Sequence, residues 1–226
     1  MARLAQLLAS HGRILVLDAA STRVAVGLLR AEESTIWVQS NDEAGRGVFL
    51  GTEAVLKQAG LTLDGIDAFV FCAGPGSMLG TRTIAMTLRT WLLLKPRPAY
   101  SYQSLAAVAS AEWSQRPRGL TVVADARRET WHAQGIAADG TLARLQRLSA
   151  ADLPPGEILT PASFRAWSAR PTGVAECNYD LATIFARLGD ADLFTAETAP
   201  DAFQHEPPEY KKWSAQTHSA ETAPKR

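Results

Sequence analysis

Cysteine is scarce in this 226-residue sequence, histidine is sparse, and neither sign of charge is in excess. The two cysteines, Cys72 and Cys177, have no metal or redox spacing, so they read as small buried hydrophobes in a reducing compartment. Lysine plus arginine balances aspartate plus glutamate at 23 each, which removes any global pull toward nucleic acid or membrane. His11, His132, His205 and His218 are scattered with no i, i+4 pair, so a zinc or iron hydrolase is not expected of this chain alone. No apolar run approaches the roughly 20 residues that span a bilayer, and a cytoplasmic protein is expected. The N-terminal "MARLAQLLASHGR" is broken by Gln6 and lacks a cleavage signature, so residues 1–13 read as a short amphipathic lead-in helix.

Ordered α/β material fills the rest. "ILVLD" at Ile14–Asp18 is a buried-strand signal, and the alternating residues after it suit two further strands turning near Glu32–Ser34. Helical spacing over 47–59 puts Val48, Val55 and Ala59 on one face, with Gly60 at a C-cap position. "IDAFVFC" is the next strand, "RPAYSYQ" a short one, and Ser104–Trp113 a helix. "ILVLDAASTRVAVGLL" and "LTVVADARRETWHAQGI" share one plan: an apolar strand ending in Asp-Ala, an arginine-containing turn and an alternating strand. A strand is expected near 142–148, then helices near 162–169 and 179–188. A unit used twice implies two similar lobes, 14–117 and 118–203, while 204–226 loses periodicity and reads as a disordered tail.

The stretch "FVFCAGPGSMLGTRTIAMTLRTWLLL" poses the chemical question. A phosphate-binding loop needs Lys-Ser/Thr after its glycines, whereas Gly80 is followed by Thr81-Arg82. A nucleophile elbow needs Gly-x-Ser-x-Gly, and Ser77 lies in Pro-Gly-Ser-Met-Leu. What remains is a structural turn in which Gly74 and Gly76 permit unusual φ and Pro75 stiffens the chain. Arg82 either anchors that turn or meets an anion at the helix N-terminus. In "LDAAST", Asp18 stands where a phosphate hairpin would organise a metal, but Ala19-Ala20 replace the glycine that lets phosphate approach. Asp18, Ser21, Thr22 and Asp125 are the candidate contacts for ATP and magnesium, with capping of the turn by Asp18 as the alternative. The helix after the turn buries Ile84, Leu88 and Trp91 on one face and carries further apolar residues, including Met86 and Leu93, elsewhere. Either both faces are buried within the monomer or one meets another protein.

Three motifs in order, "ILVLDAAST", "AGLTLDGIDAFVFCAGPGSMLGTR" and "DARRETWHA", resemble the TsaB (YeaZ) family, paralogues of the TsaD/Kae glycoprotease-like proteins. The resemblance covers about Ile14–Ala133, with an echo in "PPEYKK". It implies a duplicated actin-like (ASKHA, ribonuclease H-like) α/β fold with two lobes. It further implies a non-catalytic scaffolding subunit of the bacterial machinery that makes threonylcarbamoyladenosine next to the tRNA anticodon. Such a subunit pairs with TsaD, joins a TsaE-like ATPase through the complex, forms a homodimer when alone, and meets tRNA only indirectly. No cofactor is expected on this chain alone, with ATP and magnesium entering weakly or in the complex. The implied interface uses the helices at 47–59 and 80–94, with Phe49, Val55, Arg82, Met86, Arg89 and Leu93 as candidate contacts. Here the sequence departs from the family habit, with Ile84, Met86 and Thr90 where small residues are common and Trp91 for a smaller aliphatic. The rivals are a small actin-fold phosphotransferase using Asp18 and Asp125, and a divergent homodimeric relative without TsaD.

Overall fold

The apolar runs become the central strands of two mixed sheets in a computed structural model that describes residues 1–203. The expected tail, His205, His218 and "PPEYKK" lie outside the described residues. The first unit runs α1 (Leu4–Ser10), β1 (Arg13–Asp18), β2 (Val24–Arg30), β3 (Ile36–Ser40), α2 (Ala44–Ala59), β4 (Ala68–Gly74), α3 (Met78–Leu94), β5 (Ala99–Gln103) and α4 (Ser104–Gln115). The second contains β6 (Leu120–Asp125), β7 (Thr130–Ile136), β8 (Gln146–Ser149), β9 (Ile158–Pro161), β10 (Val174–Cys177) and α5 (Leu181–Ala186). A last strand, β11 (Thr195–Ala196), pairs with β5, so the chain end expected in the second lobe returns to the first sheet.

The sheet orders are β11-β5-β4-β1-β2-β3 and β10-β9-β6-β7-β8. In each, the first strand is antiparallel to the second and parallel to the fourth, so β1 and β6 hold equivalent places. The duplication seen faintly in the sequence is therefore a duplication of topology. The second copy is stripped down: a short 3-10 turn at Ala150–Asp152 and loops replace the helices that follow β3 and β4 in the first.

Strand alternation gives the first sheet two buried faces, and a third, smaller cluster of Val123, Trp131, Ala133 and Val174 lies on the second sheet. Leu15, Leu17, Val26, Phe69 and Phe71 face α2 and α3, which bury Val48, Val55, Ile84, Leu88 and Trp91 against them. Ile14, Val16, Val70 and Cys72 point to the opposite face, under α4 and α5, in a cluster that continues into Leu120, Val122 and Ile136 of the second sheet. Burial on both faces explains why β1 and β4 read as continuous apolar runs. Close approach of α2 depends on absent side chains: a Cβ on Gly47 or Gly51 would meet Val24 or Val26 at 2.8 Å.

The lobes are joined at a buried carboxylate. Asp18, at the end of β1, is 1% exposed. Its Oδ2 accepts from the Tyr102 hydroxyl of β5 at 2.5 Å and from the Tyr179 hydroxyl, just before α5, at 2.7 Å. Its Oδ1 accepts from the Ala20 N–H at 2.8 Å. Burial, with the nearby Asp18 carboxylate adding to it, pushes both tyrosine hydroxyls well above their usual range.

Several elements differ from expectation. The segment 162–169 forms turns and no helix, because its backbone is spent on tertiary partners: Thr22 N–H donates to Ser163 O, and the Trp167 and Ser168 N–H groups donate to Asp125. The strand expected at 142–148 begins at Gln146, with Leu142 making only an isolated bridge to Ile136. α2 starts three residues earlier than the spacing suggested, and its αL cap at Gly60 is where it was expected. Tyr179 stays outside α5, where its hydroxyl reaches Asp18.

Tyr179→Phe removes one of three donors to a buried carboxylate and is expected to cost about 1.5–3 kcal/mol in urea unfolding. Asp18→Ala should cost more, because it strands both hydroxyls and the Ala20 N–H without a partner. An unchanged midpoint for Tyr179→Phe would remove the carboxylate from its joining role.

Candidate protein interface

The glycine corner between β4 and α3 is a close-packing device. Gly74 and Gly76 have φ of 121° and 153°, with Pro75 between them. A Cβ on Gly76 would lie 2.3 Å from Ala20 O, and one on Gly80 would lie 2.0 Å from Ala19 O. The Ser77 N–H donates to Ala20 O at 2.7 Å, and Ser77 Oγ caps α3 by accepting from Gly80 N–H. The first turn of α3 is thus pressed onto the backbone of the β1–β2 turn, whose Ala19 and Ala20 are themselves buried.

Each candidate cofactor contact has a hydrogen-bonding partner within the protein. Asp18 is sequestered by the two tyrosines and Ala20 N–H, the capping alternative raised by the sequence. Ser21 closes a local turn with the Arg23 backbone, and Thr22 N–H is spent on Ser163 O. Asp125, on the β6–β7 turn, accepts from Arg127 N–H at 2.5 Å, Trp167 N–H at 2.7 Å and Ser168 N–H at 2.6 Å. Desolvation works against its charge, but the backbone donors of Ser168, Arg127 and Trp167 win and hold its carboxyl below the usual range. Each aspartate therefore has its own protein donors, and the structure does not bring the two into one metal-binding group; among the described residues no cluster of three or more His, Cys, Asp or Glu can hold a metal.

On the other side of the first sheet, α2 and α3 lie side by side. Nine large apolar side chains are exposed among the described residues, and seven of them belong to these two helices: Phe49, Leu50, Met78, Leu79, Met86, Leu93 and Leu94. Leu79, Met86 and Leu93 recur at seven-residue intervals, with Thr83 and Thr90 four residues after the first two. That repeat is the spacing of a helix-docking seam. Of the alternatives left open by the helix's surplus apolar surface, the structure selects exposure.

The candidate contacts divide as follows. Phe49, Met86 and Leu93 are exposed at 54%, 57% and 87%. Phe49 also packs edge-on against Trp91, which is itself buried between Phe49 and Phe69. Val55 corrects the sequence reading: it is fully buried, because it lies on the α2 face that packs into the core. Arg82 is exposed and makes no hydrogen bond or ion pair with another described residue, so it does not anchor the turn. Arg89 has a job within the chain as well, since its Nε donates to Pro200 O at 2.6 Å and its guanidinium pairs with Asp201 at 3.2 Å. Leu50, Met78, Leu79 and Leu94 are exposed as well and were not among the candidates, although the heptad from Met86 and Leu93 back to Leu79 was available in the sequence. Tyr102 and Tyr179 were missed too; the available signal was that a buried aspartate must find donors.

Residues 51–143 match the family model for TsaD, tRNA N6-adenosine threonylcarbamoyltransferase. YeaZ from Pseudomonas aeruginosa superposes with a TM-score of 0.62 at 18% identity, covering 78% of this chain and 90% of that one. The chain is thus similar to YeaZ in fold and, over residues 51–143, to the TsaD family in sequence. A second solved structure, a protein with similarity to peptidase YeaZ from the same organism, gives the same TM-score and identity, covering 78% of this chain and 89% of that one. The architecture is a duplicated, two-lobed α/β fold, as expected, and it is shared with YeaZ. No curated protein sequence matches the chain.

The lowered carboxyl of Asp125 gives a pH prediction. Its contribution to stability is fully present above the ordinary aspartate value, about pH 4, and is lost as pH falls through the lower folded value. Thermal melts across pH 2–6 should show wild type losing its advantage over Asp125→Asn below about pH 4. Parallel curves for the two proteins would exclude this role.

Proposed function

We propose that this chain is a non-catalytic scaffolding subunit of the bacterial tRNA threonylcarbamoyladenosine machinery, docking a TsaD-like paralogue through the exposed α2–α3 face. The carrying observation is the concentration of seven exposed apolar side chains on two adjacent helices, three of them in a heptad seam. Exposed apolar side chains gathered on two neighbouring helices fit a protein partner. Arg82 and Arg89, also seven residues apart, supply a polar edge to the seam. A TsaE-like ATPase joins through the assembled complex, and without TsaD the same face closes a homodimer. The proposed setting is the cytoplasm; among the described residues no helix is long and apolar enough to cross a membrane.

The non-catalytic reading is supported by how the polar groups are spent. A phosphotransferase using Asp18 and Asp125 would need free carboxylate oxygens near a metal-bound nucleotide, and the protein's own donors take both groups. The buried Ala19 and Ala20 line the approach where a phosphate would need bare backbone. We therefore assign no nucleotide or metal to this chain alone.

Sedimentation velocity, with the protein alone and mixed with its cognate TsaD, tests the docking face. Wild type should self-associate alone and form a mixed complex with TsaD. Met86→Glu should weaken both by several-fold or more, since it places a charge where apolar area is buried. Self-association without any TsaD complex would favour the divergent homodimer, and a wild type that stays monomeric and ignores TsaD would end the proposal.

A further inference from the structure

The β6–β7 turn and the 162–170 loop form a surface that the docking role does not use. Arg127, Arg128 and Glu129 are consecutive left-handed residues, with φ of 65°, 53° and 57°. Side-chain-bearing residues seldom adopt that conformation even singly, so a run of three needs outside support. The support is on both sides. Asp125 Oδ1 accepts the Arg127 N–H, and the Arg147 guanidinium donates to Ala126 O at 3.1 Å and to Thr130 Oγ1 at 2.8 Å. Asp125 Oδ2 takes the N–H groups of Trp167 and Ser168, so one carboxylate clamps the loop to the turn.

The clamp displays a defined set of groups. The Arg127 guanidinium lies 4.5 Å from the centre of the Trp167 ring and covers one face of the indole. Trp167 is nevertheless 58% exposed. Arg128 and Arg165 are exposed as well. Among the described residues, none of Arg127, Arg128 and Arg165 has a carboxylate partner, and Glu129 in the same turn pairs with none of them; Arg170, further along the loop, does pair with Glu176 at 3.0 Å. Unpaired guanidinium groups suit phosphate oxygens, and an arginine-backed indole with an open face suits a nucleobase.

We propose that Trp167, Arg127, Arg128 and Arg165 form a direct contact for single-stranded RNA, with a base stacked on the indole and phosphates held by the arginines. This departs from the indirect tRNA contact implied by the family resemblance, and it does not depend on pairing with TsaD. An unstacked base is required because a lone surface ring cannot enter a paired duplex without displacing a base, so loops and single strands are the fitting targets. An acidic protein partner would satisfy the arginines but leave the open indole face without a role. The neutral overall charge is no obstacle, since a local cluster supplies the electrostatic footprint.

Fluorescence anisotropy with a labelled oligoribonucleotide of about ten nucleotides tests the contact on the full chain at low and moderate salt. Wild type should bind, with affinity falling as salt rises. Trp167→Ala should weaken binding roughly 5- to 150-fold, the range for losing one stacked base, and Trp167→Phe should retain most of it. Replacing Arg128 and Arg165 together with alanine should reduce the salt slope by about 1.4 for two lost single-strand phosphate contacts. These residues are exposed, so matched thermal melts serve as the folding control. No binding by wild type at low salt, or equal binding by Trp167→Ala, would overturn the inference. So would equal affinity for polyglutamate, which would assign the surface to an acidic protein, or full competition by ATP at the oligonucleotide's own concentration, which would make it a mononucleotide site.

Discussion

Everything in the middle of this molecule is arranged around the buried carboxylate of Asp18. A buried carboxylate is costly unless its oxygens are met by donors, and here the donors come from different parts of the chain. Ala20 N–H comes from the turn that follows β1, Tyr102 from β5 at the far side of β4, and Tyr179 from the segment that opens the last helix of the second lobe. Satisfying one residue therefore fixes the β1–β2 turn, the first sheet and the second lobe relative to one another. Cys72 is drawn into the same environment, its thiol pushed up by burial first and then by the neighbouring Asp18.

The glycine corner follows from that arrangement. Once Asp18 holds the Ala20 N–H, the carbonyls of Ala19 and Ala20 face the start of α3, and only glycine at 76 and 80 lets that helix come as close as it does. A helix seated so tightly at its N-terminus has its rotation set. Ile84, Leu88 and Trp91 go inward, and Leu79, Met86 and Leu93 are left facing out. The outward direction of the seam is thus a consequence of the corner.

What was legible in the sequence is what local pattern and spacing encode. Strands β1, β4 and β6, buried on both faces, were readable as apolar runs, and the paired Asp-Ala ends exposed the duplication. The inward face of α3 was readable from Ile84, Leu88 and Trp91. The 162–169 segment was misread as helix because propensity says nothing of the distant Asp125 and Thr22 that compete for its backbone. Val55 was misplaced because periodicity finds an apolar face without saying which way it turns, and α2 turns it into the core. The partners of Tyr179 and Trp167 could not be named from the sequence for a related reason. Their roles depend on partners more than 40 residues away in sequence, Asp18 for the first and Asp125 for the second.

The two exposed surfaces are adjacent, and this bears on how they would work together. A cavity of about 510 Å³ at the N-terminal end of α3 is lined by Leu79 and Thr83 from the seam, by Thr22 and Arg23 from the β1–β2 turn, and by Arg165 from the clamped loop. The hydrogen bond from Thr22 N–H to Ser163 O ties that loop to the first lobe at the same place. A partner covering the upper part of the seam would therefore border Arg165. Asp18 sets the first of these surfaces through the β1–β2 turn, and Asp125 sets the second through the β6–β7 turn. The two aspartates at equivalent places in the repeated topology each organise one surface, and the contact between their loops makes the surfaces neighbours.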